Sequence, residues 1–282
     1  MLREALRRNW QLYLIEGGAL ACFMVVACSA GALIDHPSSA VRHSIATDWL
    51  RRALFGVVMG CTAMAIIYSP LGKRSGAHIN PSVTLTFLRL GKVGLPDATW
   101  YVAAQFVGAT AGVIVAVAVF GMRIMHPSVR YVVTLPGPRG AGVAFVAELG
   151  ISFVLLTVVL AISSVPRWQR FTGICAGLLV AIYITVEAPF SGMSMNPART
   201  FGSGVVAGVW TAMWVYFLAP PLGMLAAAQL HLWLFGARPT LCAKMRHDPT
   251  MPCHFCAERA ARVSARSPAP TLTGTISGTT HF

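Results

Sequence analysis

The chain is predicted to be an all-α integral membrane protein, with six transmembrane helices and two re-entrant half-helices arranged as an inverted internal repeat. Three observations predict it. Of the 282 residues, 56% are hydrophobic and only 11% charged, whereas a soluble domain carries about a quarter charged residues. Six apolar stretches are long enough to cross a hydrocarbon core, which takes about 20 residues. Two loops in matching positions each hold one Asn-Pro in a polar, Gly-containing setting.

The spans lie near 10–34, 53–71, 98–121, 142–165, 170–189 and 209–235. Arg3, Arg7 and Arg8 precede the first in the manner of a signal peptide. A cleavable apolar region is about 7–15 residues long; this one is longer and contains Glu16, so it reads as a retained helix. The third and sixth spans contain no Asp, Glu, Lys or Arg. Gly56–Gly60 and Gly108–Gly112 have the small-residue spacing that lets membrane helices approach closely. Cys22, Cys28, Cys61 and Cys175 lie in apolar runs, where free Cys behaves as a small hydrophobe.

An even number of spans places both ends of the channel region on one side of the bilayer. That side carries Arg3, Arg7, Arg8, Lys73, Arg74, Arg89, Lys92, Arg167, Arg170 and the basic residues of the tail. The positive-inside rule then puts the termini in the cytoplasm, against the vote of Arg42, Arg51 and Arg52. The Ala/Arg-rich composition and short loops suggest a bacterial inner membrane. Net charge is +13, but the basic residues flank apolar runs and form no aromatic-basic patch, which argues against nucleic acid.

The two halves echo each other. The first span carries IEGGALACFM around Glu16 and the fourth AELGISFVLL around Glu148. Later in each half come SGAHINPSVT (75–84) and SGMSMNPART (191–200). Three spans per repeat turn the second copy upside down, an arrangement that puts the functional site at the repeat interface near the midplane. Residues 10–236 form the channel domain, with repeats of about 10–121 and 142–236, between a cytoplasmic segment 1–9 and a cytoplasmic tail 237–282.

Asn is among the best N-cap residues, and Pro suits the first helical turn, where its missing N–H has no partner to lose. Asn80-Pro81 and Asn196-Pro197 therefore each begin a helix, one too short to span. Such a half-helix is tolerated only where it lines a cavity or is buried in protein. Two opposed N-termini aim positive dipole ends at one point, which disfavours a cation or a protonated water there. The Asn amides can donate hydrogen bonds to a passing neutral oxygen.

At these loops, and with Glu16 and Glu148, the chain resembles the aquaporin (major intrinsic protein) family across roughly residues 10–236. The resemblance implies a right-handed six-helix bundle in the lipid bilayer with two half-helices and a homotetramer with one pore per subunit. It implies a water channel rather than an enzyme, requiring no cofactor. It makes Asn80 and Asn196 the midpoint donors, within Asn80-Pro81-Ser82 and Asn196-Pro197-Ala198, and Arg199 the constriction arginine. Counting back from the Asn residues, as family spacing suggests, adds Gly60, Ile184 and Met193. Glu16 and Glu148 resemble buried glutamates that brace the half-helix loops, and His78 organises its loop. Glu187 has no counterpart.

Three departures bear on selectivity. Ser82 stands where the family usually has Ala, a change small enough to keep the cap. A constriction with Gly60 and Ile184 is wider and more apolar than that of narrow water-selective members, so glycerol or another small neutral solute is the alternative permeant. Thr200 in place of the Asp typical of glycerol facilitators, and Tyr216-Phe217 in the last span, point back to water. A secondary transporter using Glu16, Glu148 or Glu187 for a coupling ion fits paired half-helices less well.

The tail turns polar and Ser/Thr/Pro/Gly-rich, with disorder expected beyond about residue 260. Within it, CAKMRHDPTMPCHFC brings Cys242, His247, Cys253 and Cys256 within the spacing of a tetrahedral zinc set. Reduced thiols beside a basic helix end, or a redox-sensing pair, are the competing readings of the same residues.

Overall fold

The structure is a computed structural model that describes residues 1–236, 242–248, 250, 252–257 and 260. Among the described residues, six long helices have the length and apolarity to cross a membrane. In chain order, α1 is Leu2–Asp35, α2 Asp48–Tyr68, α3 the half-helix Pro81–Arg89, and α4 Leu95–Phe120. The second repeat supplies α5 Ala141–Ser163, α6 Thr172–Val186, α7 the half-helix Pro197–Ala207, and α8 Met213–Phe235. The fifth span is completed by a 3-10 turn, Gln169–Phe171, ahead of α6. The first helix starts at Leu2, well before the apolar stretch that predicts it, so residues 2–9 belong to α1.

The packing follows the repeat. In each half the first and last spans pair most extensively, α1 with α4 and α5 with α8, while α2 packs on α6 across the two halves. Each half-helix leans on the last span of the other repeat, α7 on α4 and α3 on α8. The two copies are therefore interlocked. Large apolar residues such as Leu14, Val107, Val146, Ile182 and Leu222 are exposed on the outer faces, where a lipid solvent takes the place of water. Trp10, Trp49, Trp168, Trp210, Trp214 and Trp233 are exposed near helix ends, the level at which amphipathic aromatic rings anchor in the interface.

Small residues permit the close crossings. A Cβ at Gly108 would overlap the Gly17 carbonyl of α1, and one at Gly60 would overlap the Gly177 carbonyl of α6. Both small-residue pairs noted in the sequence thus face a neighbouring helix. By contrast, a Cβ at Gly18 meets nothing within 4 Å. Gly108→Leu is expected to lower the melting temperature in detergent by the equivalent of about 1–3 kcal/mol or more. Gly18→Leu is expected to stay within about 0.5 kcal/mol, and equal melting of the two variants would contradict this packing.

Candidate functional site

The site is built where the two Asn-Pro loops meet. α3 has 9 residues and α7 has 11, too few to span. Asn80 caps α3 by accepting from Ser82 N at 2.8 Å. Asn196 caps α7 by accepting from Ala198 N at 3.1 Å and Arg199 N at 3.2 Å. With its oxygen fixed by the cap, each amide turns its nitrogen toward the other repeat. Asn80 Nδ2 donates to Met195 O and Asn196 Nδ2 donates to Ile79 O, both at 2.7 Å. An amide nitrogen has two hydrogens, so each Asn keeps one to offer the cavity that both residues line.

The chain leading into each half-helix is unwound and left-handed at alternate non-glycine residues. In the first loop Ala77 has φ +53° and Ile79 +41°; in the second Met193 has +51° and Met195 +54°. Such conformations cost of order 1–3 kcal/mol each, and their backbone N–H groups lie at membrane depth without a helical partner. Ala77 N and Met193 N donate to Ser75 Oγ at 3.2 Å and Ser191 Oγ at 3.0 Å, and two buried carboxylates take those of Ile79 and Met195 together with their neighbours His78 and Ser194. Glu16 accepts from Ser75 Oγ at 2.7 Å, His78 N at 3.0 Å, Ile79 N at 2.6 Å and Gln105 Nε2 at 3.1 Å. Glu148 accepts from Ser191 Oγ at 2.8 Å, Ser194 N at 2.6 Å and Met195 N at 2.7 Å. Two tyrosines complete the symmetry: Tyr101 donates to Ser75 O at 2.7 Å and Tyr216 to Ser191 O at 2.6 Å. Sequence reasoning missed Ser75, Ser191, Tyr101 and Gln105, although the serines open the two matched segments.

A cavity of about 270 Å³ runs through this junction. Asp35 and Arg52 line it near one face, and His78 and Met245 near the other. Asn80, Ile184, Met193, Asn196 and Arg199 all contribute to its wall. Arg199 is buried, and its Nη1 has no hydrogen-bond partner among the described residues. Pro81, Ser82, Pro197 and Ala198 sit behind the Asn residues in the first turns of the half-helices. The Ser82 hydroxyl is buried and has no partner among the described residues, while its backbone N–H still completes the Asn80 cap.

Gly60 is corrected. It faces α6, and the cavity wall from α2 is Arg52, Phe55, Met59, Ala63 and Ile67. A count back from Asn80 fixes a distance along the chain but not the rotation of α2, and the short helix Pro70–Ser75 lies between α2 and the loop. Thr200 and Tyr216 also take other roles. The Thr200 hydroxyl bonds to those of Thr134, at 2.7 Å, and Ser194, and Tyr216 holds the Ser191 carbonyl. Phe217 packs among Phe106 and Phe201. Neither Thr200, Tyr216 nor Phe217 belongs to the cavity wall, and Glu187, buried after α6, does not either.

On the opposite side of the bundle, Cys242, His247, Cys253 and Cys256 converge, with their ligand atoms all within 4.8 Å of one another. Next to them, the hydroxyl and backbone N–H of Thr250, helped by Lys73 at 3.5 Å, hold the Asp248 carboxyl below its ordinary range. The disorder expected beyond about residue 260 falls on residues outside the described ones.

A model of the major intrinsic protein family matches residues 7–231. Aquaporin A of Dictyostelium discoideum is 34% identical over 201 residues, covering 69% of this chain and 71% of that protein. Aquaporin NIP1-4 of Oryza sativa subsp. japonica is 34% identical over 212 residues, 74% of this chain and 72% of its own length. Aquaporin NIP3-1 of Zea mays is 40% identical over 171 residues, 60% of this chain and 55% of that protein. The chain thus spans 55–72% of the length of these relatives. The aquaglyceroporin from Plasmodium falciparum superposes with a TM-score of 0.65 at 19% identity, over 79% of this chain and 95% of that one, a likeness of fold. These relatives come from plants and an amoeba and lend no support to a bacterial inner membrane.

Replacing Glu16 with Gln puts an amide donor against backbone donors, leaving one or two buried N–H groups unpaired at about 1–3 kcal/mol each. Glu16→Gln is therefore expected to lower thermal stability by that amount in detergent melting. Ser82→Ala, which removes an unpartnered buried hydroxyl, is expected to be neutral or stabilising by up to about 1 kcal/mol; a clear loss would show that the hydroxyl has a partner.

Proposed function

Because the chain belongs to the major intrinsic protein family, whose members are multi-pass membrane channels and not enzymes, we propose that it conducts water passively down an osmotic gradient and excludes protons and ions. The observation that carries this reading is the pair Asn80 and Asn196, both lining one cavity at the meeting point of two opposed half-helix N-termini. Each N-terminus carries roughly half a positive charge, so a cation at the midpoint is repelled twice. A neutral water oxygen there accepts from both amides, and its own hydrogens then point away along the pore. That orientation interrupts a chain of proton transfer.

Selectivity is assigned to the level of Arg199, Ile184 and Met193, with Phe55 in the place first given to Gly60. The unpartnered Arg199 Nη1 supplies a fixed cation and a hydrogen-bond donor to the wall, which repels other cations and holds a passing oxygen. A second reading, a channel for glycerol or another small neutral solute, is favoured by the rest of that wall. Phe55, Ile184 and Met193 are apolar, so one side suits carbon-bound hydrogens while Arg199 takes hydroxyls. The NIP-type relatives and the aquaglyceroporin fold neighbour are compatible with it. The proposal also includes cytoplasmic termini and a homotetramer with a pore in each subunit.

Osmotic shrinkage of vesicles holding the protein separates the readings. Shrinkage in mannitol faster than in empty vesicles, without re-swelling in glycerol, is expected for a water pore. Re-swelling in glycerol would favour the solute channel, and no excess over empty vesicles under zinc-free, reducing conditions would overturn both. Arg199→Val should admit larger solutes or ions; unaltered selectivity would remove Arg199 from the constriction.

A further inference from the structure

The described tail residues 242–248 and 252–257 lie against the end of the bundle that holds Gly76 and His78, and their contacts converge on the cavity. Met245 N donates to Gly76 O at 3.0 Å. His78 Nε2 bonds to Ala243 O at 2.6 Å; the carbonyl is only an acceptor, so this ring nitrogen carries the hydrogen. Phe255 stacks on His78 with centroids 6.0 Å apart and planes 13° from parallel. Ala243, Met245 and Phe255 are buried, and Met245 forms part of the cavity wall. At the rim, His254 reaches Asp97 at 3.3 Å and Lys73 reaches Asp248 at 3.5 Å.

A segment this short has too little apolar surface to hold its own shape, and small folds of this kind depend on a staple. A candidate for the staple is a cluster of four donor side chains. Cys242 Sγ lies 3.2 Å from Cys253 Sγ and 3.7 Å from Cys256 Sγ, and Cys256 Sγ lies 3.6 Å from His247 Nε2. Tetrahedral zinc with Zn–S bonds of about 2.3 Å requires S···S edges of about 3.8 Å, close to this spacing. The thiols are free and unbridged, and three thiolates with one imidazole form a closed structural donor set of the kind zinc takes.

We propose that Cys242, His247, Cys253 and Cys256 bind one zinc ion, and that this metal holds the tail as a plug with Met245 in the cytoplasmic mouth of the pore. The metal site stands on its own geometry; the gating role rests on the channel reading above. Zinc binding ties Cys242, His247, Cys253 and Cys256 together and so holds Ala243 and Met245 against His78 and Gly76 of the loop that leads to Asn80. Without the metal the plug loses its staple and the mouth opens.

The test uses the purified full chain, with metal content measured by elemental mass spectrometry and permeability by vesicle shrinkage with zinc or a chelator on the cytoplasmic face. About one zinc per chain is expected, falling below about a tenth in Cys253→Ser and in Cys256→Ser. Chelation is expected to raise wild-type water permeability several-fold. Cys256→Ser should be fast with or without zinc, and Met245→Ala fast with zinc bound. Melting temperatures of the variants' helical bundles, followed by circular dichroism, check that the channel domain is intact. Absence of zinc, zinc content indifferent to the Cys substitutions, or an intact mass lower by two hydrogens from a Cys242–Cys253 disulfide would overturn the site. Bound zinc with permeability unchanged by chelation and by Met245→Ala would overturn the plug. No permeability in any variant would instead defeat the channel reading, with the metal measurement still deciding the site.

Discussion

Everything at the centre of this molecule depends on pairing backbone N–H groups that lie at membrane depth outside any helix. In a hydrocarbon solvent such a group has no water to fall back on, and leaving it unpaired costs several kcal/mol. Glu16 and Glu148 solve the problem in the same way in each repeat. A carboxylate only accepts, and with two oxygens it can take several donors at once, which an amide or hydroxyl cannot. Their hydrogen bonds to His78 N and Ile79 N, and to Ser194 N and Met195 N, allow the left-handed residues of both loops to persist. Charged residues inside a membrane usually mark function; these two instead fix the backbone that leads to Asn80 and Asn196.

Once the loops are fixed, the two halves hold each other. Asn80 and Asn196 each cap their own half-helix and donate across to the other loop, at Met195 O and Ile79 O. α3 and α7 also pack on the last span of the opposite repeat. The midpoint of the cavity is therefore a property of both repeats jointly, and neither can be displaced without moving the other's Asn. Rigidity of this kind suits a passive channel. The proposed control lies instead at the rim, where the tail reaches the Gly76–His78 loop.

Much of this was legible in the chain. The apolar runs give the six helices because a membrane span needs length and apolarity and little else. The Asn-Pro pairs give the half-helix starts because capping and the first turn are local chemistry. Glu16 and Glu148 stand out because charge is rare in such runs. The failures have a common origin. Counting along the chain picks Gly60, but a count does not fix how α2 is rotated, and the side of α2 that lines the cavity carries Phe55 and Met59. Tyr101, Gln105 and the tail's Met245 act on partners far away in sequence, at Ser75, Glu16 and the pore loop, and nothing next to them announces those partners.

The sequence by itself determined the number of spans, the inverted repeat, the capped half-helices and the Cys and His residues that make up the tail cluster, since each depends on composition or on neighbours within a few residues. Only the tertiary structure decided which side of α2 faces the cavity, that the Thr200 and Tyr216 hydroxyls are engaged in hydrogen bonds away from the cavity wall, and that the Cys/His cluster sits beside the loop of Gly76 and His78. Those are questions of where distant segments meet. Helix rotation and loop insertion set the answers, and neither leaves a periodic mark in the chain.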